Sequence, residues 1–71
     1  MTDTKKFEAT LILKGKTKKD IAELLGVALQ TVYNKINNVV DFKGKEISAI
    51  ISFLELSTEE MNEIFFANSV D

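Results

Sequence analysis

Thr17 to Asn38 read TKKDIAELLGVALQTVYNKINN, and this stretch decides the fold. Thr17 is a good helix N-cap. Asp20, three residues on, supplies a looser form of the Ser/Thr-x-x-Glu capping box. Ile21, Ala22, Leu24 and Leu25 then give a short helix its apolar face. Gly26 stands where that helix must end and the chain must turn, a place that favours a residue tolerant of positive φ. Val27 is the apolar residue expected to bury inside the turn. Leu29 to Asn37 form a second helix, with Val32 and Ile36 four apart on its inner side. Two short helices on a glycine-containing turn make a helix-turn-helix unit.

Outward from this unit the rest of the chain also reads as helix. Thr2 or Asp3 can cap a first helix to about Lys14, with Phe7, Leu11 and Ile12 as its apolar residues and Gly15 as its stop. Asn37 and Asn38 end the third helix, because Asn tolerates left-handed backbone. Val39, Val40 and Phe42 supply apolar anchors to a short connection. A fourth helix runs from about Lys43 or Gly44 to Leu54. Its Ile47, Ile50, Ile51 and Leu54 fall at i, i+3, i+4 and i+7. Ser57 and Glu60 form a proper capping box for a fifth helix to about Phe66 or Ala67, and Asn68 to Asp71 are expected to fray. The expectation is one all-α domain, a five-helix bundle over residues 1–71, with the helix-turn-helix at helices two and three and an acidic end over 43–67.

Composition narrows the function. With 71 residues and no Cys or His, the core must form without disulfides or the usual zinc sites. Enzyme chemistry has no His or Cys to use as nucleophile or base, and Gly15, Gly26 and Gly44 are isolated rather than a phosphate loop. No cofactor is expected. No apolar run approaches the ~20 residues of a membrane span, and MTDTKK is no signal peptide, so the expected place is a cytoplasm.

The net charge is −2, but the charges are segregated. Residues 1–45 carry nine lysines against five acids, a net of +4, and residues 46–71 carry six acids and no base, a net of −6. The half with the helix-turn-helix is therefore the half suited to phosphate. There is no Arg, so the bidentate arginine–guanine contact is unavailable.

The pieces Thr17, Ile21-Ala22, Leu25-Gly26-Val27, Val32 and Ile36, set among five short helices, resemble the DNA-binding domain of phage repressor and Cro-type proteins. The ending LELSTEEMNEIFF resembles the tail of short Gram-positive phage regulators of this type. The resemblance implies a transcription regulator of a lysis–lysogeny switch in a bacterial host, binding operator DNA with residues 29–37 in a major groove and often acting as a homodimer. Gln30 and Asn34, four apart on the outward side, are the candidate base readers, since amides pair with adenine edges. Leu29 is a candidate for a thymine methyl. Thr31, Tyr33, Lys35 and Asn37 are placed outward, with the first three reaching phosphates. Lys18 matches the family's phosphate contact at the start of helix two, with Lys19 beside it, and Lys43 is a candidate for the same strand. Ala28 stands where family members usually carry a capping Ser or Thr, and Leu29 where they commonly carry a polar base reader.

A second reading stays open beside this one. The acidic overall charge and an exposed Leu29 also suit an antirepressor, which keeps the fold but binds a phage repressor protein. In that case Leu29 and Phe66 are the partner contacts. Phe65 and Phe66 are adjacent, so one ring is expected inside and the other at an edge or a dimer contact.

Overall fold

The computed structural model describes residues 1–66. They form five helices and, among the described residues, no strand: α1 (Thr4–Lys14), α2 (Lys18–Leu25), α3 (Leu29–Ile36), α4 (Gly44–Leu54) and α5 (Thr58–Phe65). The expectation for Asn68 to Asp71 lies outside the described residues. No helix among the described residues is long and apolar enough to cross a membrane.

The helix starts follow side-chain chemistry. Asp3 accepts from the Lys6 N–H, and the Thr17–Asp20 and Ser57–Glu60 pairs each close a reciprocal capping box. The helix ends follow backbone geometry. The first four helices finish on one pattern, a residue at positive φ whose N–H reaches back three residues while the next N–H reaches back five. Gly15 and Gly26 fill this position at φ 71° and 69°. Asn38 fills it after α3 at φ 65°, so of the two asparagines the second is the true stop. Glu55 fills it after α4 at φ 53°, where an L side chain is strained. Glu55→Gly is therefore expected to stabilise the fold by about 0.5–1 kcal/mol, read as a rise in Tm in a circular dichroism melt.

Every helix sends two residues into one core: Phe7 and Leu11, Ile21 and Ala22, Val32 and Ile36, Ile50 and Leu54, Ile64 and Phe65. Phe42, from the connection between α3 and α4, joins them. Three rings meet at the centre. Phe7 stacks on Phe42 with centroids 5.7 Å apart, and Phe65 stands edge-on to both at 5.8 Å.

Above this cluster the N-terminus is tied down. Thr2 exchanges two hydrogen bonds with the Asn38 side chain, at 2.8 and 2.9 Å. The Thr4 hydroxyl donates to the Ile36 carbonyl, and the Asp3 N–H donates to the Ile64 carbonyl. These bonds join the start of α1 to the ends of α3 and α5. Three apolar expectations fail, the first at Leu24 of α2, which is exposed while Ile21, Ala22 and Leu25 pack inward. Ile12 points to solvent, as does Leu13 beside it (78% and 81% exposed), because the α1 face that holds Phe7 and Leu11 lies on the other side. Val39 and Val40 are exposed, leaving Phe42 as the anchor of that connection.

Candidate nucleic-acid interface

The candidate surface is the outer side of α3. Gly26 turns the chain after α2, and Val27 packs on the core as the turn's anchor. Val32 and Ile36 are fully buried and fix the rotation of α3. Leu29, Gln30, Tyr33 and Asn37 then face solvent, with Thr31 and Asn34 half-buried. Within this surface the Gln30 Nε2 donates to Asn34 Oδ1 at 3.0 Å, so the two amides are joined. Their i, i+4 spacing is the sequence signal for such a pair.

The start of α3 lacks a side-chain cap. Ala28 has extended backbone at the N-cap position and nothing to offer the orphan N–H groups. Ala28→Ser is expected to add about 1 kcal/mol and to raise Tm by about 4–8 °C in a thermal melt.

The lysines divide into those held inside the molecule and those left free. Lys35 is the correction. It was expected outward, toward phosphate, but it is 7% exposed and reaches from α3 to the start of α4. Its Nζ bonds Glu46 Oε1 at 2.7 Å and the Asp41 carbonyl at 3.4 Å, and lies 5.9 Å from the centre of the Phe42 ring. The physical reason is register. Lys35 sits beside buried Ile36, and Glu46, in the first turn of α4, meets it there. A flexible four-carbon stem can be covered if the ammonium finds a partner.

Burial alone would push the Glu46 carboxyl up. The hydrogen bonds from Lys35 and from the Lys43 N–H, with the charges of both lysines, outweigh it and hold Glu46 below the usual carboxylate range. Lys43 caps α4 only through that backbone group, since an ammonium has no acceptor to return.

Lys18 is also engaged. Its Nζ pairs with Glu8 of α1 and lies 5.1 Å from the centre of the Tyr33 ring. This contact was not foreseen, because Glu8 and Tyr33 lie on other helices. Lys19 and Lys43 are exposed, and no ion pair within the described residues holds them. Lys45, next to Lys43, is likewise exposed and free of an ion pair. Lys6 and Lys14 pair with Glu63 and Glu60 across the opposite side, where α1 meets α5.

The second expected contact, Phe66, is half-exposed, while its neighbour Phe65 is buried. The two rings, with Met1, Thr2, Asp41 and Ile47 among their neighbours, line an open cavity of about 380 Å³. No group of His, Cys or acidic side chains among the described residues is placed to hold a metal ion.

A family described as "Protein of unknown function (DUF739)" matches residues 1–68. The chain belongs to this family. No curated protein and no solved structure matches it. In this DUF739 chain the match spans all five helices, so the outer side of α3 and the Phe66 cavity both belong to the family domain.

Proposed function

We propose that this chain is a phage-type, helix-turn-helix transcriptional regulator that binds operator DNA by laying α3 in the major groove. The observation that carries this reading is the make-up of the outer side of α3: an uncharged, hydrogen-bonding surface of Gln30, Tyr33, Asn34 and Asn37 around Leu29, on a short helix whose other side is locked into the core. A surface of this kind suits base edges. Affinity comes from free lysines meeting phosphate, with Lys19 on α2 and Lys43 before α4 as the first candidates, and Lys18 if phosphate displaces Glu8. Two copies reading half-sites about 34 Å apart suit so small a domain. The reading is of a binding protein, acting in a lysis–lysogeny switch.

A second reading draws on the same lysines. Lys18 and Lys35 are both held by acids within the molecule. That leaves a sparse cationic surface and supports an antirepressor that meets a repressor protein through Leu29.

Gel shifts with DNA from the switch region, run across salt concentrations, test the first reading. The expected result is a specific shift by the protein alone. Lys19→Ala and Lys43→Ala should each lower the slope of log affinity against log salt by about 0.9. No shift alone, with loss of the repressor's own shift, would replace this reading with the second.

A further inference from the structure

We propose that Gln30 and Asn34 act as one hydrogen-bonded unit that selects an A·T pair and rejects guanine at the base pair facing them. The inference rests on the DNA-binding reading above. Guanine is read in the major groove through two acceptors, N7 and O6, and a side chain that pairs with both must offer two donors. This chain has no Arg. The lysine within α3, Lys35, is buried against Glu46, and Lys18 is held between Glu8 and Tyr33. The exposed side of α3 therefore carries no cation.

What remains is the amide pair. One N–H of Gln30 Nε2 is spent on Asn34 Oδ1. This sets the direction of the Gln30 amide and leaves it one N–H and one carbonyl oxygen. One donor beside one acceptor matches adenine, whose N7 accepts and whose N6 amino group donates. It does not match the two acceptors of guanine. Asn34 is in this sense a positioning residue, its Oδ1 holding the Gln30 amide. Leu29, one residue before Gln30 and partly exposed, adds an apolar contact for a thymine methyl.

The test is selection of duplexes from a randomised pool by the full chain at low salt, repeated with variants whose folding is checked by circular dichroism. The expected consensus has an A·T position preferred about 5- to 150-fold over G·C. Gln30→Ala should erase that preference. Gln30→Glu, left with acceptors alone, should move it toward cytosine, whose N4 donates. Asn34→Ala should weaken the same preference without changing Tm or the salt slope, which a merely structural residue would not do. A guanine consensus, or an A·T preference unmoved by Gln30→Ala, would overturn the inference and leave DNA binding standing. Failure to enrich any duplex would overturn both.

Discussion

Phe7→Ala is expected to leave the protein unfolded at 25 °C. Phe7 is wholly buried and touches both other rings of the central cluster, Phe42 face to face and Phe65 edge to face. Removing a buried phenylalanine side chain costs about 3–5 kcal/mol, the lost transfer energy plus the cavity left behind. A single core at this chain length rarely supplies more than about 3–5 kcal/mol in all, so the loss matches the whole. The site is poorly placed to collapse, because two of its walls come from other segments, Phe42 in the connection and Phe65 in α5. Urea unfolding followed by circular dichroism would show no native baseline for Phe7→Ala. Phe7→Leu, which keeps most of the volume, should retain a cooperative transition. A cooperative Phe7→Ala transition close to wild type would mean that the ring cluster is not what holds α1 to the rest.

Glu46→Ala and Lys35→Met are expected to differ sharply, although they break the same ion pair. Glu46→Ala leaves the Lys35 ammonium covered and without its carboxylate. A fully buried case costs about 3–5 kcal/mol, and escape of the long stem toward solvent lowers this to about 2–4 kcal/mol. Lys35→Met keeps the stem's packing on Phe42 and leaves Glu46 its bond from the Lys43 N–H, so the change should stay within about 1 kcal/mol. Adding Lys35→Met to Glu46→Ala should recover most of the loss. If the two single variants lose the same stability, the pair is solvent-screened and the buried placement of Lys35 is wrong.

The same pair carries a pH dependence. Glu46 is held below its ordinary value of 4.5, so it binds a proton less readily folded than unfolded. Its contribution is fully present above about pH 4.5 and is lost as the pH falls through the lower folded value. Glu46→Gln should flatten that part of the acid limb in a plot of stability against pH.

Lys35 also shows where reading the chain by helical spacing reaches its limit. Two residues after Tyr33 and directly before Ile36, a lysine is expected outward, as Tyr33 is found, with Thr31 and Asn34 half-buried beside it. Lys35 is instead buried, because its place depends on an acid eleven residues later being brought against it. The same holds for Lys18, whose partner Glu8 lies on another helix. Local signals fared differently. The capping boxes at Thr17–Asp20 and Ser57–Glu60, the glycine stops at 15 and 26, and the fourfold spacing of Ile47 to Leu54 each involve neighbours within one turn, and all five helices lie within a residue or two of where those signals put them. The candidate site was legible to the same degree. The outward placement of Gln30 and Asn34 follows from Val32 and Ile36, whereas the withdrawal of Lys35 from that surface does not.

Sequence alone determined the all-α architecture, the helix boundaries, the core residue types and the split between a basic first part and an acidic end, since caps, periodicity and composition act over a few residues. Tertiary structure decided which charges remain free, which way Ile12 and Leu13 face, and that Asn38 would tie down Thr2. Each of these depends on groups far apart in the chain meeting in space, and packing alone sets those meetings.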